Sequence, residues 1–228
     1  MLLDLLPKGF TCAGCGLTTW KSVCESCKEN LQWNHDFLDS PVAEIEALAP
    51  LLFSYSRTQT LIRRFKEYGG TDLKRAIFKM SAPLKHQLME THFFAVIPIP
   101  QDRDRSYVRG HESALETARF FSRQLQIPVA PLLCLKKKKT KRLTGLSKFA
   151  REWAENPFVL KNDSLPFSLS CLLQEKMNQK KEIRVLLVDD LITSGSTLAK
   201  AGDTLKTLYP DLRIWGGSLG FRPHRLIH

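Results

Sequence analysis

The sequence predicts an α/β protein with an open, mostly parallel sheet, preceded by a small cysteine-rich unit. From residue 51 onward, apolar runs of strand length alternate with amphipathic helical patterns, as in a parallel sheet with helices on both faces. The first 40 residues instead carry two Cys-x-x-Cys pairs. We therefore expect two domains, a metal-ribbon domain at 1–40 and an α/β domain at 41–228.

The cysteine pairs predict a structural zinc ribbon. Cys12 and Cys15 form one pair, and Cys24 and Cys27 form the other. Each pair places two thiolates on a tight turn, and four thiolates can surround one Zn²⁺ tetrahedrally with no open position. Two disulfides or four free thiols are the alternatives, and zinc is favoured in a reducing compartment. Three nearby residues are interpreted as members of a small core rather than as base-stacking groups: Trp20, Trp33 and His35.

The α/β part begins with a short apolar strand at 51–55. A helix follows, with Leu61 and Phe65 on its apolar face, and Gly69 ends it. A second helix is predicted over 71–88. On charge alone, Lys66 of the first helix would be a solvated surface residue.

A second buried strand is predicted at 93–100, and a basic segment follows it. The segment contains three arginines: Arg103, Arg105 and Arg109. They follow the carboxyl end of a strand, where open α/β sheets bind ligands, and guanidinium groups suit pyrophosphate. A helix at 113–125 and a short strand at 129–135 come next. His111, just before that helix, is either a surface residue or a ligand contact.

A lysine-rich segment follows the strand at 129–135, and it contains no acidic residue between 134 and 150. Its candidate nucleic-acid contacts are Lys136, Lys137, Lys138, Lys139, Lys141 and Arg142. Such a segment could follow a nucleic-acid backbone, or it could be a solvated loop.

The stretch at 183–197 has the pattern on which the fold prediction depends most. Four apolar residues predict a strand buried on both faces, and Asp189 and Asp190 end that run. A hydroxyl-rich turn then leads into a helix at about Ser196. Gly195 allows a close backbone approach, and a helix N-terminus favours phosphate. The sequence therefore predicts a phosphate-binding corner beside two carboxylates.

This stretch resembles the signature of the type I phosphoribosyltransferases, which bind 5-phosphoribosyl-1-pyrophosphate. The resemblance implies that the sheet is of their kind and that Asp189 and Asp190 hold the ribose 2′ and 3′ hydroxyls. It also implies that the 5′-phosphate lies in a cradle formed by Thr193, Ser194, Gly195, Ser196 and Thr197. The arginine-rich segment would then be the pyrophosphate loop, and Mg²⁺ would accompany the pyrophosphate.

The chain as a whole resembles the ComF family. That family carries two cysteine pairs, then a helix with a Lys and a Gly placed like Lys66 and Gly69, and a P-x-P strand end followed by R-G-F-N-Q. Here the last motif reads RGHES, so His111 and Glu112 replace Phe and Asn. Lys66 joins the expected ligand-binding residues on this resemblance.

The ComF resemblance implies a competence protein that binds phosphoribosyl pyrophosphate and single-stranded DNA during natural transformation, together with other proteins of the competence machinery. Two alternatives remain open. One is an active phosphoribosyltransferase with an unidentified nucleobase or nitrogen acceptor, and the other is a non-catalytic zinc-ribbon interaction protein.

Charge and hydropathy agree with this expectation. The 228-residue chain has a net charge of +11, which favours a polyanionic partner such as a nucleic acid, a membrane surface or a phosphorylated ligand, without choosing among them. The first residues do not form a convincing signal peptide, and no apolar run is long enough to span a membrane. We therefore expect a cytoplasmic protein.

Overall fold

The computed structural model of the chain describes residues 10–21, 23–53, 56–101, 111–135, 155–160, 182–207 and 209–222. Within these residues the strands are β1 (Phe10–Thr11), β2 (Thr18–Thr19), β3 (Leu38–Asp39), β4 (Ala47–Phe53), β5 (Ala95–Pro98), β6 (Leu133–Leu135), β7 (Phe158–Leu160), β8 (Ile183–Ile192) and β9 (Leu212–Phe221). The helices are α1 (Glu25–Glu29), α2 (Ser56–Tyr68), α3 (Thr71–Ile77), α4 (Ala82–Glu90), α5 (Ser113–Leu125) and α6 (Ser196–Lys206).

The central sheet has the order β3-β4-β9-β8-β5. The pairings β4–β9, β9–β8 and β8–β5 are parallel, whereas β3 pairs with β4 in the antiparallel sense. The α/β prediction is therefore confirmed, with a mixed sheet whose antiparallel strand lies at one edge. Strand β8 lies inside the sheet between β9 and β5, and its apolar residues are buried on both faces, as the unbroken apolar run predicts.

The two faces of the sheet carry separate apolar cores. Alternate residues of β8 face each one, with Leu186 and Val188 on the first and Val185 and Leu187 on the second. Helices α2 to α5 and the cysteine unit pack on the first face. Helix α6 and the antiparallel β6–β7 pair pack on the second. Because the cysteine unit buries Val23 and Leu31 in the first core, it is joined to the sheet by apolar contact.

The helix predicted at 71–88 is two helices, so that prediction was wrong. Helix α3 ends at Ile77, and Ser81 begins α4 by accepting a hydrogen bond at its side-chain oxygen from the amide of Leu84, 3.4 Å away. A serine N-cap followed by a proline in the first turn is a strong helix start. By contrast, α5 has the predicted bounds. None of the helices among the described residues is long and apolar enough to cross a membrane.

Candidate functional site

The acidic pair lies near the carboxyl end of β8, at the edge of the sheet where parallel strands bind ligands. The strand continues through Ile192, so Asp189 and Asp190 lie within it and do not end it. Asp190 is only 1% exposed, whereas Asp189 is partly buried. A carboxylate this deeply buried requires partners.

Lys66 of α2 is one partner of Asp190. Its ammonium nitrogen lies 2.8 Å from Asp190 Oδ1 and 2.8 Å from Oδ2. The Lys66 side chain is 35% exposed, so this lysine reaches from the protein surface to a buried acid. The pairing shows that Lys66 is not simply a solvated surface charge.

Two residues that sequence reasoning did not select complete the environment of Asp190. The hydroxyl of Ser113, the first residue of α5, donates to Asp190 Oδ2 at 2.6 Å. The side-chain nitrogen Nε2 of Gln101, which follows β5, donates to the same oxygen at 3.2 Å and to Ser113 Oγ at 2.6 Å. Their signals in the sequence are weak, because one is a helix-start serine and the other an isolated glutamine after two prolines.

Asp189 has a raised pKa of about 7. Burial is the main cause, and the neighbouring charge of Asp190 adds to it, whereas Lys66 acts in the opposite direction. The Asp189 carboxylate accepts the backbone N–H of Asp190 at 2.8 Å. Two adjacent acids beside one lysine therefore hold more negative charge than that lysine neutralises.

The turn after β8 places a helix N-terminus beside the acidic pair. Gly195 has a φ of 76° and precedes the first residue of α6, and no side chain caps that helix. Thr193, Ser194, Ser196 and Thr197 are partly buried around it. Backbone N–H groups at a helix start without a side-chain cap, next to hydroxyl-bearing residues in the sequence, form an environment that suits a phosphate.

His111 joins α2 to the start of α5. Its Nε2 lies 2.7 Å from the carbonyl oxygen of Phe65, and a Cβ added to Gly69 would lie 3.2 Å from its ring. Gly69 has a φ of 64°, so a glycine suits both its conformation and this close packing. The side chain thus makes a structural contact at the end of the helix that carries Lys66.

Two curated proteins resemble this chain over most of its length. Competence protein F of Haemophilus influenzae is 30% identical over 213 residues, which cover 90% of this chain and 82% of that protein. The chain belongs to the ComF family. Competence protein ComFC of Bacillus subtilis, 24% identical over 193 residues, matches 83% of this chain and 69% of its own length. No protein-family model matches.

The four cysteines of this ComF family member form one cluster that could hold a metal ion. Their sulfur atoms all lie within 4.8 Å of one another, and all four thiols are free. The amides of Gly14 and Cys24 lie 3.4 and 3.3 Å from the sulfur of Cys12 and donate to it. Four converging soft donors fit Zn²⁺.

The environment of the cluster favours a thiolate at Cys12. Burial raises its pKa, but backbone N–H donors at Cys24, Cys15 and Gly14 outweigh burial and lower the pKa to about 6. Burial raises the pKa of Cys27 to about 12. The thiolate is the metal-binding form of cysteine, so the backbone around Cys12 is arranged for that form.

The small-core interpretation of the residues around the cluster was wrong for Trp20 and His35. Trp20 is 70% exposed and His35 is exposed, whereas Trp33 is partly buried against the first core. The cysteine unit is too small to enclose three rings. Its apolar residues pack against the sheet domain instead.

The other predicted site residues lie outside the described residues. These are Arg103, Arg105, Arg109, Lys136, Lys137, Lys138, Lys139, Lys141 and Arg142.

Proposed function

We propose that this ComF family chain is a phosphoribosyltransferase-like competence protein that binds phosphoribosyl pyrophosphate and single-stranded DNA. The observation that carries the proposal is the juxtaposition at the end of β8. The acidic pair, of which Asp190 is buried and Asp189 is partly buried, lies six and seven residues before Ser196, where α6 begins without a side-chain cap, and Gly195 between them has a left-handed conformation. A ribose phosphate offers hydroxyls to the acids and an anion to the helix start.

The residues present suit the parts of that ligand. Residues 193–197 would hold the 5′-phosphate, and the acidic pair would form the part of the site that faces the ribose. Arg103, Arg105 and Arg109 would bind the pyrophosphate together with Lys66. Carboxylate oxygens are ligands that Mg²⁺ accepts, so the acidic pair is compatible with an ion bound to the pyrophosphate. When bound, Mg²⁺ would neutralise part of the pyrophosphate charge.

The DNA-binding and competence parts of the proposal have separate support. Both curated relatives are named as competence proteins. The chain carries a net charge of +11, and its lysine-rich segment from Lys136 to Arg142 contains no acid. Contacts between lysines and phosphates release counterions, so the DNA affinity should fall steeply as salt rises. An affinity that stays constant between low and physiological salt would remove the lysine-rich segment from the proposal.

The cysteine unit has a structural part in the proposal. We propose that its four thiols hold Zn²⁺, that residues 1–40 form a small ribbon domain packed on the sheet domain, and that the chain works in the cytoplasm. The convergence of the four sulfur atoms within 4.8 Å of one another supports the first of these.

Calorimetric titration with phosphoribosyl pyrophosphate and Mg²⁺, with and without a single-stranded oligonucleotide, tests this function. We expect binding whose affinity shifts when the oligonucleotide is present. Binding that ignores DNA would favour an active transferase and call for a screen of nucleobase acceptors. No binding would refute the ligand proposal and leave the cysteine unit and the basic segment as the sites to examine.

Variants connect the titration to the site. Asp189→Asn should abolish or strongly weaken binding of phosphoribosyl pyrophosphate while the far-ultraviolet circular dichroism spectrum is unchanged. Asp211→Asn, in the exposed turn before β9, is the matched control, because it makes the same chemical change away from the site. Equal affinity in the two variants would show that the ligand does not bind at the end of β8.

A further inference from the structure

We propose that the two adjacent aspartates have different roles: Asp189 contacts the ribose of the ligand, whereas Asp190 is a positioning residue that fixes the ammonium group of Lys66. This inference rests on the proposed function, because it divides the work within the same ligand site.

Asp190 is already engaged by protein groups. Lys66 Nζ lies within 2.8 Å of both its oxygens, and Ser113 and Gln101 donate to Oδ2 at 2.6 and 3.2 Å. The residue is 1% exposed. At Oδ2 a sugar hydroxyl would have to displace one of these donors, and breaking a buried, charge-assisted hydrogen bond is unfavourable. At Oδ1, which is bonded to Lys66, the deep burial of the residue leaves almost no surface for a sugar hydroxyl to reach.

The contacts of Asp190 hold three separate parts of the chain together. Lys66 belongs to α2, Ser113 begins α5, and Gln101 follows β5. Ser113 and Gln101 also bond to each other, with Gln101 Nε2 donating to Ser113 Oγ at 2.6 Å and Ser113 N donating to Gln101 Oε1 at 3.3 Å. The carboxylate is thereby held in one orientation, and Lys66 takes its position from it.

Lys66 is suited to present charge to a ligand from this position. Its side chain is 35% exposed although its nitrogen is bound to a buried acid. A lysine on a flexible stem loses rotamer freedom when it binds an anion. An ion pair that fixes the ammonium group in the free protein removes part of that loss, so a ligand phosphate meets a preorganised charge.

Asp189 differs from Asp190 in its burial and in its hydrogen bonding. It is partly buried rather than fully buried. Its Oδ1 accepts a hydrogen bond from the backbone N–H of Asp190 at 2.8 Å. Because a carboxylate has about four acceptor positions, Asp189 keeps capacity for sugar hydroxyls.

Titrations of four proteins with phosphoribosyl pyrophosphate test the role of Asp190: wild type, Asp190→Asn, Lys66→Met and the double variant. We expect each single substitution to weaken binding about tenfold or more, and the double variant to be no more than about twofold weaker than the worse single variant. If the fold-loss of affinity in the double variant equals the product of the two single losses, Asp190 acts independently of Lys66 and the proposal is overturned. Unchanged binding by Asp190→Asn would also overturn it. Lys79→Met, at an exposed lysine between α3 and α4, should bind as wild type does.

A comparison of ribose 5-phosphate with 2-deoxyribose 5-phosphate tests the role of Asp189. We expect wild type to prefer ribose, Asp189→Asn to lose that preference, and Asp190→Asn to keep it while binding both sugars more weakly. Loss of the preference in Asp190→Asn, or its retention in Asp189→Asn, would overturn the assignment. If neither sugar phosphate binds measurably, the double-variant comparison decides.

Two further results separate the outcomes. If Asp190→Asn lacks a cooperative thermal transition, Ser113→Ala replaces it, because it removes the 2.6 Å donor to Asp190 without changing charge. Ser113→Ala should weaken phosphoribosyl pyrophosphate binding with the ribose preference intact, and wild-type affinity in it would count against the proposal.

Failure of wild type to bind phosphoribosyl pyrophosphate would refute the proposed function itself. Binding without any ribose preference would refute only the role of Asp189.

Discussion

Replacing Asp189 by Asn should stabilise the ligand-free protein above neutral pH, although it removes a proposed ligand contact. Burial and the charge of Asp190 raise the pKa of Asp189 from 3.8 to about 7. An acid whose pKa is higher in the folded state binds its proton more tightly there than in the unfolded chain. Stability is therefore greatest at low pH, falls as pH rises from about 4 to about 7, and stays at the lower value above that.

The size of the effect follows from the same pKa values. The pKa of Asp189 in the folded protein is about three units above its unfolded value. At 1.36 kcal/mol for each pKa unit, this corresponds to about 4 kcal/mol of lost stability at pH 8. Asp189 and Asp190 titrate as a pair, so part of this loss belongs to both residues. We therefore expect Asp189→Asn to gain about 1–3 kcal/mol in the free energy of unfolding at pH 8. At pH 5 the gain should shrink to roughly a third of that value.

Thermal unfolding of the metal-loaded protein at pH 8 and pH 5 measures this gain. For a chain of this length, each kcal/mol raises the melting temperature by about 2–4 °C. Asp211→Asn, in an exposed turn, should change the free energy of unfolding by less than about 0.5 kcal/mol at both pH values. A melting temperature of Asp189→Asn equal to or below that of wild type at pH 8, or a gain that does not decrease towards pH 5, would refute the reasoning.

Two further predictions concern residues around the site. Gly195→Ala should destabilise the fold by about 1–3 kcal/mol more than Gly16→Ala. Both glycines have positive φ values, 76° and 80°, but a Cβ at Gly195 would lie 3.0 Å from Pro41 whereas one at Gly16 has open space. Equal losses in chemical denaturation would contradict this. His111→Phe should lower the free energy of unfolding by about 0.5–1.5 kcal/mol, because the ring can still pack but the contact with the Phe65 carbonyl is lost; an unchanged denaturation midpoint would disagree.

The sequence predicts the parts of the fold that local patterns determine. The apolar run of β8 and the glycine turn into α6 are contiguous, so their signal is strong. The bounds of α5 follow from its 3.6-residue apolar period in the same way. The cluster formed by the four cysteines follows from their spacing.

The side-chain partners within the site are not local, and the sequence does not show them. Lys66 and Asp190 are 124 positions apart, and Ser113 and Asp190 are 77 apart. No pattern in one sequence tells which serine or glutamine will face a given carboxylate. The break between α3 and α4 was missed for another reason: an apolar helical period continues across Ser81, and the capping chemistry of that serine overrides it.

Helix α2 connects the cysteine cluster to the acidic pair. Leu61 of this helix lies next to Gly14 of the cysteine unit: a Cβ built on Gly14 would be 3.6 Å from a Leu61 methyl carbon. Lys66, five residues further along the helix, binds Asp190. Five residues span about 7.5 Å of helix. A displacement of the cysteine unit would therefore shift α2 and, with it, the position of Lys66. We therefore expect removal of Zn²⁺ by a chelator to weaken phosphoribosyl pyrophosphate binding even where circular dichroism shows the sheet domain still folded, and restoration of Zn²⁺ to reverse the loss. Full affinity in folded, metal-free protein would show that α2 is held by the sheet core alone.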